Sequence, residues 1–202
     1  MTRIKLCGLT RPEDIQMVNA LLPEYIGFVF AQKSSRYVTP DRAAELKGLL
    51  DARIKAVGVF VDENPEEVAR LLNAGVIDLA QLHGHEDEAY LERLRGLTDR
   101  PLIQAFRIRS RADVDRALRS TADHLLLDAG AGTGTTFDWS LLGDLPRPCF
   151  LAGGLHPGNV GEAVRRLHPY GVDVSSGIET NGHKDAEKMA NFVLNTRKED
   201  ET

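Results

Sequence analysis

Only two cysteines, Cys7 and Cys149, occur in the 202 residues, and they form no C-x-x-C pair or other metal-ligand spacing. Both fall in stretches that read as strands, which argues against a disulfide and more strongly against a zinc site. No apolar run is long enough to cross a bilayer, and the amino end enters a short strand directly instead of a basic segment followed by an apolar one. The expectation is a soluble, cytoplasmic protein. Runs of lysine and arginine are also missing, and the formal charge of −5 argues against a nucleic-acid surface. A phosphate ligand would therefore be held by local donors. Neither Gly-Lys-Ser/Thr nor a G-x-G-x-x-G run opening a helix is present, which excludes the Walker and dinucleotide loops. No linker or low-complexity segment divides the chain, so residues 1–202 read as one domain, 42% hydrophobic and able to bury a sizeable core. The charged tail, Lys198 to Thr202, reads as a frayed end.

What is present is an alternation of two periodicities. Arg3 to Cys7 forms a first strand, and from Thr10, a candidate cap, the spacing becomes helical with Ile15, Val18, Leu21 and Leu22 on one face. Tyr25 to Phe30 is a strand, Thr39-Pro40-Asp41 opens a helix, and Ile54 to Val61 is the third strand. Asn64-Pro65-Glu66-Glu67 is a strong helix start with Gly75 as its stop. Ile77 to Leu82 is strand four, Glu86 to Arg95 a helix, Pro101 to Phe106 strand five, and Ser110 caps a helix through Leu118. His124 to Asp128 is strand six, a short helical piece lies at Trp139 to Leu142, and Pro148 to Ala152 is strand seven. Asn159 to Leu167 is helical, Gly171 to Ser175 is strand eight, and Lys184 to Arg197 closes the chain as a helix.

Eight nearly continuous apolar strands alternating with about eight helices describe a parallel sheet covered by helices. An open doubly wound sheet of this length would carry fewer strands. The fold class is therefore α/β, a compact (β/α)8 barrel, shorter than the usual ~250 residues. In such a barrel the carboxyl ends of the strands converge on one mouth whatever their separation in sequence. Those ends carry Cys7, then Gln81 and His83, Arg107, Asp128, Gly153-Gly154, and Ser175-Ser176-Gly177. The glycine and serine pairs end the last two strands, where barrels often hold a phosphate on backbone N–H groups. Gly153, Gly154, Ser176 and Gly177 are the candidate phosphate ligands.

Each remaining residue has a plain alternative. Free cysteine is usually a small buried hydrophobe, so Cys7 reads as core until it acquires a partner; Cys149 stays core. Asp128, after three leucines, either caps a turn or acts as an acid, and acting as an acid requires its pKa to rise well above ~3.9. Arg36, in the loop after strand two, is either solvated or suited to gripping a carboxylate over the mouth. His83 is open between base, loop hydrogen-bonder and supporting residue. Asp78 and Asp123 stand at strand starts and receive no chemistry, and Asp173 either braces loops or faces the core. The Gly130 to Thr136 loop reads as a lid, anchored by Phe137-Asp138-Trp139 with Asp138 as a helix cap.

Taken in order, several segments resemble the phosphoribosylanthranilate isomerase family over nearly the whole chain. They are Lys5-Leu6-Cys7-Gly8-Leu9-Thr10, Gly27-Phe28-Val29-Phe30 with Ser34-Ser35-Arg36, Gly58-Val59-Phe60, and Gln81-Leu82-His83-Gly84. The likeness continues through Asp128 with Gly132-Thr133-Gly134 and Phe137-Asp138-Trp139, Leu151 to Leu155 with Asn159-Val160, Gly171 to Glu179, and Gly182-His183-Lys184-Asp185. Ala131 and Thr135 depart from the further glycines of many relatives. The resemblance implies a (β/α)8 barrel and an Amadori rearrangement in tryptophan biosynthesis that needs neither metal nor organic cofactor. It implies Cys7 as general base, Asp128 as general acid, Arg36 on the substrate carboxylate, and phosphate at Gly153, Gly154, Ser176 and Gly177; His83 is placed with the substrate-binding residues, its role left open. The implied partner is a small phosphoribosyl compound, with no nucleic acid or membrane, in a monomer or homodimer. A thiol of ordinary pKa, ~8.5, would serve as such a base. Two other readings remain: a histidine-pathway sugar-phosphate isomerase, which would place aspartate where Cys7 stands, and a non-catalytic phosphoribosyl-binding module, which would need neither Cys7 nor Asp128.

Overall fold

The computed structural model describes residues 1–128, 139–142 and 146–200. The lid segment Gly130 to Thr136, with Phe137 and Asp138, lies outside the described residues. Eight parallel strands close on themselves in sequence order: β1 (Arg3–Cys7), β2 (Tyr25–Val29), β3 (Lys55–Phe60), β4 (Leu79–Leu82), β5 (Leu102–Arg107), β6 (His124–Asp128), β7 (Cys149–Ala152) and β8 (Gly171–Val174). The first and last are joined through Lys5 opposite Asp173 and Leu6 opposite Val174. Around the barrel run α1 (Pro12–Leu21), α2 (Pro40–Gly48), α3 (Pro65–Asn73), α4 (Glu88–Arg95), α5 (Arg111–Leu118), α6 (Val160–Leu167) and α7 (Ala186–Asp200). Seven α-helices, not eight, are found among the described residues, and the described residues of the connection from β6 to β7 include a 3₁₀ turn at Trp139–Leu141.

Period-two alternation sorts each strand into an outer face against the helices and an inner face. Ile4, Leu6, Leu125 and Leu127 join the large core beneath the helices, which turns Lys5, Cys7, Leu126 and Asp128 inward. Inside the barrel Val57, Leu79, Ile103, Leu126 and Phe150 form a separate apolar cluster. Below it, Tyr25 and Tyr170 meet the Phe150 ring edge-on at 5.5 and 5.2 Å. The amino-terminal end of the barrel is thus filled by aromatic rings and the interior is a packed core.

The acidic residues at strand starts are structural, and they follow a rule. Glu24, Asp78 and Asp123 immediately precede or begin the even strands β2, β4 and β6, and each carboxylate accepts the first free N–H of the odd strand before it. The donors are Ile4 at 2.8 Å, Ala56 at 2.8 Å and Leu102 at 2.8 Å. A cation covers each acid: Arg197 on Glu24, Lys47 on Asp78 and Arg95 on Asp123. Strand four begins at Leu79, later than Ile77, because Asp78 is spent on this brace.

Two other local readings need correction. Thr10 does not cap α1; the buried Asp14 reaches back to accept the N–H groups of Thr10 and Arg11 at 2.9 and 3.0 Å. The tail is not frayed from Lys198, since α7 continues to Asp200, whose carboxylate accepts the Thr2 N–H at 2.8 Å and the Thr2 hydroxyl at 3.0 Å. Charge alone suggested fraying, but this charge has a fixed partner next to β1. The closing helix also starts at Ala186 and not at Lys184, because His183–Lys184 pairs with Glu179–Thr180 as a small antiparallel hairpin, β9 (Glu179–Thr180) and β10 (His183–Lys184).

Candidate active site

Cys7 ends β1 with its thiol turned into the mouth of the barrel, and β2 leaves room for it. A Cβ added at Gly27, which pairs with Cys7 across the two strands, would stand 2.5 Å from the Cys7 sulfur. Cys7 is 6% exposed. Burial pushes its pKa up, against the pull of the Lys5 and Lys184 ammonium groups, with Asp173 adding to the rise. The resting group is therefore a neutral thiol, less acidic than the ordinary thiol expected from the sequence.

Beneath Cys7, Lys5 pairs with Asp173, and of the two roles open to Asp173 the core-facing one holds. Lys5 is fully buried inside the barrel, and its Nζ is 2.9 Å from Asp173 Oδ1 on β8. Burial opposes the charge on Lys5, but Asp173, assisted by Cys7, more than offsets it and raises the ammonium pKa. Asp173 thus faces the interior. The signal was present: Arg3, Lys5 and Cys7 alternate with Ile4 and Leu6, and a polar residue on the inner face of a barrel strand asks for a partner.

Arg36 arrives at the mouth because its loop folds back on β2, with the Val38 N–H donating to Val29 O at 2.9 Å. Its stem crosses Gly8, where an added Cβ would meet Arg36 Cδ at 2.5 Å. The guanidinium, open in the sequence between solvation and gripping a carboxylate over the mouth, has a carboxylate partner within the chain. Its Nε and Nη2 donate to the two oxygens of Glu179 at 2.6 and 2.7 Å, and Lys184 Nζ reaches Glu179 Oε1 at 2.7 Å. Burial alone would push the Glu179 carboxyl up, yet the Arg36 and Lys184 hydrogen bonds overcome it and hold it at about 2. The sign follows: a depressed acid contributes stability above its ordinary 4.5, and the contribution is lost as pH falls toward about 2. Glu179 occupies one edge of the guanidinium. Among the described residues no side-chain partner is found for Nη1, which with the second Nη2 hydrogen makes an end-on fork, a geometry matched to a carboxylate.

Lys184 extends the network, donating to Ser175 O at 2.9 Å, while the Ser175 hydroxyl donates to the Cys7 carbonyl at 3.1 Å. Glu179, Lys184 and Ser175 were each legible as members of motifs, but their pairing was not.

Asp128 ends β6 on the inner face, with Oδ2 3.2 Å from His83 Nε2, and Gln81 Nε2 lies 3.3 Å from His83 Nδ1. When Gln81 donates to Nδ1, the His83 proton sits on Nε2 and points at Asp128. The structure therefore brings His83 to the acid. At the far side of the mouth, Gly153 and Gly154 both adopt positive φ, 85° and 67°, which lets the chain double back at the end of β7. Asn159 braces that turn, accepting the His156 N–H at 2.8 Å and donating to Gly154 O at 3.0 Å. A Cβ at Gly177 would fall well inside 3.0 Å of Leu155 O, so the turns after β7 and β8 touch at Gly177. Among the described residues no group of three or more His, Cys, Asp and Glu side chains is placed to hold a metal ion, and no helix is long and apolar enough to cross a membrane.

Residues 4–195 match the family model of N-(5'-phosphoribosyl)anthranilate (PRA) isomerase. The chain belongs to this family. An N-(5'-phosphoribosyl)anthranilate isomerase from Endomicrobium trichonymphae is 43% identical over 96% of this chain and 97% of that protein. The crystal structure of phosphoribosyl anthranilate isomerase from Thermotoga maritima superposes with a TM-score of 0.89 at 35% identity, covering 98% of this chain and 100% of that one. A crystal structure of phosphoribosyl anthranilate isomerase in complex with reduced 1-(o-carboxyphenylamino)-1-deoxyribulose 5-phosphate has a TM-score of 0.87 at 35% identity, with 98% and 100% coverage.

Proposed function

We propose that this PRA isomerase converts N-(5'-phosphoribosyl)anthranilate to 1-(2-carboxyphenylamino)-1-deoxyribulose 5-phosphate by general acid–base catalysis at the barrel mouth, with Asp128 as acid and Cys7 as base. The observation that carries the assignment is that both side chains turn inward at the carboxyl ends of β1 and β6 of one closed barrel. Protonated Asp128 gives its proton to the furanose oxygen, and the ring opens to a Schiff base protonated on nitrogen. That cation acidifies the C2' hydrogen, which the Cys7 thiolate removes. The resulting enolamine becomes the ketone when the thiol returns a proton to C1' and the C2' hydroxyl gives its proton to the Asp128 carboxylate. Both groups then stand as they began, so the cycle is balanced without an oxidant.

The substrate has an anion at each end. The phosphate lies on the backbone and hydroxyls around Gly153, Gly154, Ser176 and Gly177, and the anthranilate carboxylate on the end-on fork of Arg36. Holding both ends brings the reacting carbons to the acid and the base, a positioning effect worth several kcal/mol. His83 bears on the acid through its 3.2 Å contact with Asp128. The protein acts in the cytoplasm as a monomer or homodimer.

The test is the loss of anthranilate-type fluorescence from freshly prepared phosphoribosylanthranilate, followed with enzyme far below substrate concentration. Sustained turnover is expected, and its absence in folded protein removes the assignment. In the same assay Arg36→Ala raises KM about tenfold or more, the equivalent of 1.4 kcal/mol, and lowers kcat less. Glu179 keeps Lys184 as its partner in that variant, so no buried carboxylate is left bare. An unchanged KM would remove Arg36 from the carboxylate.

A further inference from the structure

We propose that Lys5, clamped by Asp173, is the positioning residue for the base: its buried ammonium is the fixed counter-charge on which the Cys7 thiolate forms. The proposal rests on the reading of Cys7 as base and adds what makes that role possible.

Three geometric facts carry it. Lys5 and Cys7 are two residues apart on β1, so their side chains share the inner face, with Lys5 deeper in the barrel. Lys5 is 0% exposed and its Nζ is held at 2.9 Å by Asp173, the residue directly opposite it on β8. A buried ion pair of this kind is weak as a source of stability, because desolvating two charges cancels most of their attraction. Its placement under the reacting thiol gives it a different use.

The charges around Cys7 can be counted. Its own strand supplies Lys5, β8 supplies Asp173, β10 supplies Lys184 and the loop after β2 supplies Arg36, while Gly27 on β2 brings no charge. Glu179 is shared between Arg36 and Lys184. Three cations therefore face two carboxylates while Asp128, across the same mouth, holds its proton, and in that state the surplus positive charge is neutralised when the thiol ionises and its proton leaves through the mouth to solvent. Once a substrate carboxylate occupies the Arg36 fork, that surplus is met at the surface. Lys5, below the thiol and sealed from solvent, is the cation that no ligand anion reaches.

The experiment measures Cys7 directly. Iodoacetamide alkylation of Cys7, read by peptide mass spectrometry so that Cys149 is separate, is followed against pH alongside kcat and KM for wild type, Lys5→Met and Lys5→Met/Asp173→Asn. The double variant matters because the single one leaves Asp173 buried without its cation, whereas the double removes both charges and leaves only neutral groups. The expected result is an alkylation midpoint about one pH unit or more higher in folded Lys5→Met, and a smaller rise in the folded double variant, which also loses the opposing charge of Asp173. The ascending limb of the kcat profile moves up equally, and KM stays within twofold. A folded Lys5→Met variant in which either the midpoint or the kcat limb stays at its wild-type position overturns the proposal; where that variant does not fold, a folded double variant whose midpoint is not raised does so. Cys7→Ser separates this from the underlying reading: if that variant turns over normally, Cys7 is not the base. If it is inactive while the midpoint of Lys5→Met is unmoved, only the role of Lys5 falls.

Discussion

Cys7→Ser and Asp128→Asn each lower kcat by about 10²–10⁴-fold, the range that a single positioned acid or base supplies, while the fold is retained. Serine fits the space opposite Gly27, being smaller than cysteine, so circular dichroism and the denaturation midpoint stay near wild type. Its hydroxyl, however, does not ionise at working pH, and even with Lys5 beneath it the site lacks a base. Asparagine keeps the shape of Asp128 and the neighbourhood of His83 but has no proton to give the furanose oxygen. The two losses do not add in the double variant, since ring opening and C2' deprotonation lie on one path and the slower step governs. Stopped-flow fluorescence checks this, because Asp128→Asn blocks the first chemical step and Cys7→Ser a later one. Wild-type kcat in either folded variant would remove that residue from its role.

Gly177→Ala raises KM for the phosphorylated substrate by about tenfold or more, with kcat changed less. The added methyl has nowhere to go: it meets the Leu155 carbonyl oxygen, a backbone atom, well inside 3.0 Å. The turn after β8 must therefore separate from the turn after β7, and the two halves of the phosphate cradle move apart. Both turns lie outside the packed interior cluster of Val57, Leu79, Ile103, Leu126 and Phe150, so the barrel itself persists. Competition by inorganic phosphate provides the check, weakening in parallel with substrate. A Gly177→Ala enzyme with wild-type KM and wild-type phosphate inhibition would show that the phosphate is bound elsewhere.

The barrel was readable in the chain because strands buried on both faces carry near-continuous apolar runs, and because each helix start has its own chemistry. Thr39 and Asn64 accept N–H bonds from Arg42 and Glu66, as expected of caps, whereas the helix read from Glu86 starts at Glu88 with Asp87 as its cap, accepting from Tyr90. Where the reading failed, a longer reach had won over a local preference. Asp14 displaced Thr10 as the cap of α1, and Asp200 tied down a tail that charge alone would fray. In the site, Cys7 and Asp128 could be found as strand-end residues, and Arg36 as a cation in the right loop. Its bidentate partner Glu179, 143 residues away, could not be found that way.

By itself the sequence determined the order of the elements, which residue stands at the end of each strand, and the family to which those residues belong. Periodicity encodes the face on which a side chain is buried, and turn chemistry encodes where an element stops; both are local properties. Only the closed barrel decided that Lys5 meets Asp173 across 168 residues, that His83 touches Asp128, and that Glu179 takes one edge of Arg36 and leaves the other. Barrel closure places the ends of β1 and β8 side by side, and no pattern along a single strand carries the identity of the residue it will face. Such pairings set the charge around the Cys7 thiol, and with it whether a buried cysteine is merely core or a base.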